Sequence, residues 1–219
     1  MIRKLKVYLQ RFRHILQTEG LISLISRVAT FLGHRIFWQD TYYIYKHILK
    51  ERNERDFLPR LQNFTFEIVH NNHQADELAA RGYEFRSPDG EDKYRLSKGA
   101  IAFCVFAKGE LTHKGWVAMT EEAQKSILNL PLKIDFPAGE AFCGGTVTNP
   151  KYRQMGLMVY GYFKRLQFLR EVGRSGAISY VAEDNVASHR AQAKLYPRLY
   201  AKVRYMRILG LIFEKELAC

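Results

Sequence analysis

Residues 143–158, CGGTVTNPKYRQMGLM, constrain this chain more than any other stretch. Gly144 to Thr148 is a run of small and β-branched residues, read as the end of a strand, and Asn149-Pro150 stops it. From Gly156 the period changes. Leu157, Tyr160, Phe163, Leu166 and Leu169 recur at three- and four-residue steps, which is one face of a helix. The turn between them, Arg153 to Met158, carries a glycine where backbone must come close to something. A helix N-terminus offers unpaired N–H groups and partial positive charge, so this turn is a candidate anion site. It is not a P-loop, because no Gly-Lys-Ser/Thr follows. It is not a dinucleotide fingerprint either, because two of the three glycines are missing.

The elements on either side set the fold class. With 219 residues and 47% apolar content, the chain has room for one sizeable core and an extension. Phe64–Val69 alternates as a first strand, and Gln74–Ala80 reads as a short helix. Ala100–Phe106 and Leu111–Met119 form a hairpin about Lys108-Gly109. Ala141–Thr148 is the next strand, then the helix from Gly156, then Ala177–Ala182. A helix follows from Asn185 to about Tyr196 or Leu199, broken near its end by Pro197, and Val203–Phe213 supplies one or two last strands. This order reads as α+β with one parallel crossover at its centre. Cys104, Cys143 and Cys219 lack metal-ligand spacing, and the first two sit in apolar runs as small buried hydrophobes, which suits a reducing cytosol.

The net charge of +12 is uneven. Residues 1–50 hold nine Lys/Arg against two acids, a net of +7. Residues 2–17 read as a helix with Ile2, Leu5, Leu9, Phe12 and Leu16 on one stripe and Arg3, Lys4, Lys6, Arg11 and Arg13 on its other faces. Such a basic amphipathic helix suits an anionic membrane surface. It is not a signal peptide, since Arg11, Arg13 and His14 interrupt any apolar run. A second helix is expected over Leu21–Leu32. Phe37-Trp38 and Tyr42-Tyr43-Ile44-Tyr45 then mix aromatics with Arg35, Lys46 and Lys50, as membrane interfaces do. No stretch is long and apolar enough to span a bilayer, so the extension lies on a surface, packs on the following domain or builds a homodimer. No recognition helix or stacking platform speaks for nucleic acid. The charged stretch Glu51–Arg60 marks the boundary, giving a basic helical extension over 1–58 and a second domain over 59–219.

Thr148-x-Pro150-x-Tyr152-Arg153-x-x-Gly156-Leu157 resembles the acyl-CoA-binding signature of the GNAT N-acetyltransferase superfamily. Thr148 stands where that signature has Val, and Met158 where it has a final Gly or Ala. Glu183-Asp184-Asn185-x-x-Ser188 resembles the family's strand-end Asn and the small residue on the next helix. Leu195 to Val203 is similar to its closing Leu-Tyr-Glu-Lys-Leu-Gly-Phe-Lys-Val, with Pro197 for the Glu and Tyr200-Ala201 for Gly-Phe. The resemblance covers about residues 64–213. It implies a mixed, mostly antiparallel sheet whose central parallel pair splays, flanked by helices and preceded here by a helical extension. It also implies acetyl-CoA or another acyl-CoA as donor, without a metal. Thr146, Val147 and Thr148 would meet the pantetheine as a further strand would. Arg153, Gln154, Met155, Gly156, Leu157 and Met158 would hold the pyrophosphate, with Asn185 and Ser188 beside them.

The reaction so implied is attack of a neutral amine on the thioester, which needs a proton acceptor and an acid for the departing thiolate. The resemblance offers Tyr196 as the acid. Relatives place a Glu where this chain has Phe142, so Glu140, two residues earlier on the same strand face, is the candidate base, with Glu183 and His113 as others. The expectation is an N-acyltransferase, cytoplasmic or peripheral on the membrane, whose amine acceptor is an amino sugar or lipid-linked intermediate. Two alternatives stand beside it. Gly144-Gly145 and Met158 would suit a longer acyl chain carried by CoA or acyl carrier protein, and the missing strand Glu would suit a non-catalytic acyl-CoA-binding or membrane-docked protein.

Overall fold

The computed structural model describes residues 37–209 and 211–218. The helices expected over 2–17 and 21–32, and Cys219, lie outside those residues. The described residues divide into two compact units, Tyr43–Ala201 and a smaller one over 37–42, 202–209 and 211–218. The architecture is α+β, with mostly antiparallel strands, one parallel pair and, among the described residues, five α-helices.

In chain order the larger unit holds the end of β1 (Phe37–Ile48), β2 (Phe64–Val69), α1 (Asn72–Ala80), α2 (Glu91–Ser97), β3 (Ile101–Ala107), β4 (Glu110–Ala118), α3 (Glu121–Ile127), β5 (Glu140–Thr148), α4 (Leu157–Glu171), β6 (Gly176–Ala182) and α5 (Val186–Ala193). Its strands lie side by side as β2-β3-β4-β5-β6-β1. β2 through β5 are antiparallel neighbours, and β5 and β6 run parallel, joined by α4 as a crossover. β3 is buried along its whole length, as a central strand covered on both faces is. The core joins Ile101, Phe103 and Val105 of β3, Val117 of β4 and Ala141 and Cys143 of β5 to α4.

Leu157, Tyr160, Phe163, Leu166 and Leu169 form the expected buried stripe of α4. Full burial of each aliphatic side chain among them contributes about 1.5–3 kcal/mol. Gly161, Tyr162 and Arg165 are buried as well, so the helix is enclosed well beyond one stripe.

In the smaller unit the start of β1 lies beside β7 (Arg198–Ile208), and β7 forms an antiparallel hairpin with β8 (Leu211–Leu217). Tyr42 meets Tyr205 edge-on at 5.9 Å, and the Arg207 guanidinium lies over the Trp38 ring.

Three expectations change. Phe37–Ile48, expected within a helical extension, is strand, and Glu54–Phe57 is a single 3₁₀ turn. The aromatic and β-branched residues that suggested a membrane interface are also strand formers, and Thr41, Ile44 and His47 are buried. The helix after Asn185 ends at Ala193, short of Pro197. Leu195 and Tyr196 close it as a turn, with Tyr196 in the left-handed region at φ 49°. Finally, Glu91–Ser97, where no element was expected, is a helix that opens at Gly90 with Glu91 and Asp92 in its first turn.

Candidate functional site

β5 and β6 pair at only three positions, Glu140↔Gly176, Ala141↔Ala177 and Phe142↔Ile178. Beyond Phe142 the strands part, so Cys143–Thr148 have β4 on one side and no β6 partner on the other. A bulge in β5 accompanies the parting. Lys114 pairs with Val147 and Trp116 with Gly144, leaving one more residue on β5 than on β4 between them. Gly145 takes φ 56°, and a side chain there would run into Trp116 and Ile127. A side chain on Gly144 would meet the Phe142 ring. The two glycines admit the protein's own rings, and that removes the room they were expected to leave for a long acyl chain.

The turn after β5 is anchored at several points. Asn149 N–H donates to Thr112 O at 2.9 Å, and the Asn149 amide and Tyr152 hydroxyl donate to the two oxygens of Glu110. Arg60 N–H donates to Met155 O at 2.8 Å. Gln154 (φ 64°) and Gly156 (φ 82°) are both left-handed, and Gly156 starts α4 with no side chain capping it. The N–H groups of Leu157, Met158 and Val159 therefore have no intrahelical acceptor. Arg153 is exposed, and its N–H donates to Pro150 O. Met158, standing where a small residue was expected, packs against the core together with Met155. Its side chain does not fill the space in front of the helix.

The opposite wall is the end of β6 with α5. Asn185 caps α5 through its own side chain, Oδ1 accepting from Ser188 N–H at 3.1 Å. One turn on, His189 Nε2 lies 2.9 Å from Ala182 O and Nδ1 lies 2.8 Å from the Tyr45 hydroxyl. A carbonyl can only accept, so Nε2 donates; in the neutral ring Nδ1 then accepts from Tyr45. Burial, aided by the neighbouring Tyr43, raises the Tyr45 pKa.

Side chains from five elements meet beneath the parted strands: His47 of β1, Thr146 of β5, Tyr162 and Arg165 of α4, Ser179 of β6 and Gln192 of α5. Arg165 is fully buried. Its Nε donates to Gly161 O at 3.0 Å, Nη1 lies 3.4 Å from Gly144 O, and the guanidinium stacks 3.8 Å over the Tyr162 ring. Tyr162 lies beside Thr146 and Gln192, and Gln192 beside His47, yet among the described residues Thr146 Oγ1 and both amide atoms of Gln192 make no hydrogen bond of good geometry. His47 Nδ1 and Arg165 Nη2 make none either. Burial raises the Tyr162 phenol and lowers His47 to about 4, with Arg165 adding to the second effect.

The anticipated catalytic groups are not gathered at the parting. Glu140 sits at the paired end of β5. It holds Lys46 at 2.6 Å and accepts from Asp135 N–H, so it is committed and about six strand residues, roughly 20 Å, from Thr146. Tyr196 is 81% exposed, and the phenol beside Thr146 is that of Tyr162. His113 is enclosed against Gly161, with Nδ1 2.8 Å from Thr148 Oγ1 and its pKa lowered by burial to about 3. Val147 is exposed, and Thr148 is held by His113. Burial raises both Cys104 and Cys143, the latter to about 11, which keeps these thiols protonated. Among the described residues, no group of three or more His, Cys, Asp or Glu is placed to hold a metal.

No family model matches the chain, and no curated protein matches it. Solved structures do. A GCN5-related N-acetyltransferase from Sphaerobacter thermophilus superposes with a TM-score of 0.52 at 10% identity, over 90% of this chain and 57% of the other. A tandem GNAT protein from the clavulanic acid biosynthesis pathway gives 0.51 at 16% identity, over 85% and 58%. The chain therefore spans under three fifths of either protein. The likeness shows a GNAT fold.

Proposed function

We propose that this chain is an acyl-CoA-dependent N-acyltransferase whose donor enters between β5 and β6. The observation that carries the reading is the early end of their pairing at Phe142 and Ile178, beside a helix N-terminus that no side chain caps. An amide-rich pantetheine arm can pair with the free edge at Thr146, Val147 and Thr148. The pyrophosphate then meets the turn from Gln154 to Met158, with the Arg153 side chain adding charge. Asn185 and Ser188 hold the facing wall through the α5 cap.

For the chemistry, His189 takes the amine proton through the Tyr45 hydroxyl. Tyr162, protonated by burial, serves the departing thiolate. His189→Asn and Tyr162→Phe are each expected to lower kcat by about a hundredfold while leaving CoA affinity within twofold. The test of the whole reading is calorimetry with CoA and acyl-CoA, followed by thiol release with an amine library. No heat with either ligand would sink it. Tight binding without thiol release from any amine would favour a non-catalytic acyl-CoA-binding protein, a reading supported by the remote Glu140 and the exposed Tyr196.

The basic stretch over residues 1–50 carries a second proposal, docking on an anionic membrane surface at the cytoplasmic face. Among the described residues no helix is long and apolar enough to cross a membrane. Because β1 belongs to the fold, the informative truncation removes residues 1–36 only. It should abolish pelleting with anionic liposomes at low salt and leave CoA binding intact. Full-length protein that ignores such liposomes refutes the docking.

A further inference from the structure

Arg165 has an environment that the donor reading does not use. Its guanidinium is completely enclosed, receives two backbone carbonyls and one aromatic face, and forms no ion pair among the described residues. Its charge bears on His47, His113, Cys143 and Tyr162, in each case favouring the less positive or more negative form. Nδ1 of His47, Oγ1 of Thr146 and both amide atoms of Gln192, with Nη2 of Arg165 itself, are buried without a hydrogen bond of good geometry among the described residues, although Thr146 and Gln192 lie beside Tyr162 and Gln192 beside His47. Buried polar groups are ordinarily paired, and a buried cation is ordinarily given a carboxylate. Four such polar atoms around one uncompensated charge, which has an open Nη2 of its own, describe the complement of a small anion with several acceptor lone pairs. A carboxylate matches a guanidinium edge and an amide donor together, and Thr146 can turn its hydroxyl proton toward it.

The geometry points to a buried carboxylate subsite beneath the parted strands, formed by Arg165, Gln192 and Thr146, and so to a carboxylate-bearing ligand for the acyl-transfer site. The inference rests on the acyltransferase reading for its chemistry. Two sources supply the same group. A dicarboxylic acyl donor would place its distal carboxylate there, and an amino-acid acceptor would place its α-carboxylate there.

The experiment is calorimetry and thiol release on the full chain with acetyl-CoA, succinyl-CoA and CoA, and with amino acids against their decarboxylated amines. Succinyl-CoA is expected to bind about tenfold or more tighter than acetyl-CoA if the donor carries the carboxylate. Phenylalanine is expected to exceed phenethylamine by a similar factor if the acceptor does. Either preference should vanish in Arg165→Met with CoA affinity unchanged. Gln192→Leu, which replaces an orphaned amide by an apolar group of similar size, keeps the fold and weakens the preference severalfold, so the test survives a poorly folding Arg165 variant. Equal treatment of both members of both pairs overturns the inference while CoA binding upholds the acyltransferase reading. If CoA itself fails to bind, that reading falls. The subsite is then judged on succinate alone, where a melting shift lost in Gln192→Leu supports it and no shift overturns it.

Discussion

Lys114 and Arg165 are both buried cations of the larger unit, but their surroundings differ. Lys114 Nζ, on β4, meets the Asp92 carboxylate and Phe85 O, and Asp92 in turn accepts from Ser87 N–H. Those contacts fix the segment leading into α2 against the sheet. Arg165 is more deeply buried and has no carboxylate partner among the described residues. A buried ion pair with its lone pairs filled is finished as structure, whereas a lone buried cation beside empty donors and acceptors is a demand left for something else. One strand and one helix of the same core thus carry the same charge to different ends.

Breaking each cation separately gives the largest contrast. Lys114→Met leaves the buried Asp92 carboxylate with only Arg95 at 3.5 Å and the Ser87 N–H, and is expected to cost about 3 kcal/mol in urea denaturation. Arg165→Met loses two carbonyl bonds but also the desolvation cost of an unpaired charge. Its stability should stay within about 1–2 kcal/mol of the parent. Equal losses would erase the distinction.

Acid is the next lever. His47 and His113 have folded-state pKa values of about 4 and about 3, below the ordinary 6.5, burial being the main cause and Arg165 a contributor. Between pH 6.5 and those values the unfolded chain binds more protons, so stability is full above 6.5 and falls as pH drops. Going from pH 7 to 5 should remove up to about 2 kcal/mol per histidine. Arg165→Met should flatten that slope slightly, and a stability independent of pH over the window would contradict the burial of both rings.

Gly115 adjoins Lys114 in sequence yet faces Arg165. An added Cβ would lie 2.7 Å from the guanidinium carbon. Gly115→Ala should cost about 1–3 kcal/mol and disturb only the Arg165 side. Carboxylate discrimination should fall with it, as binding curves will register. The smallest effect is expected at Met158, whose side chain packs inward. Met158→Ala should leave CoA affinity within about twofold. A large gain would mean the thioether does obstruct the helix start.

The sequence carried the order of strands and helices from Phe64 onward because period and punctuation are local signals, and Asn149-Pro150 and Gly156 marked the turn by the same logic. Arg165 and Tyr162 were not legible. On α4 they fall outside the apolar stripe, where Arg is ordinarily solvated, and only the packing of α4 on the sheet buries them, with Gly115 and Gly144 against the guanidinium and His47 and Thr146 beside the phenol. The one available hint was Gly161, a residue without a side chain inside a helix, which signals close packing on that side. His47, Thr146, Ser179 and Gln192 come from four other elements, so their meeting depends on tertiary contacts that no spacing encodes. β1 was missed because its aromatics serve a strand and a membrane interface equally well.

The bulge in β5 has a consequence that reaches every later residue of the strand. Side chains alternate, so one extra residue reverses the parity of all that follow. Without it Thr146 and Thr148 would share the side of Phe142, turned from α4, and Val147 would point at the helix. With it, Thr146 comes to Tyr162 and Thr148 to His113, and Val147 is 57% exposed. The extra residue thus sets which faces the threonines take, and Gly145, at φ 56°, is the residue that lets the strand carry it.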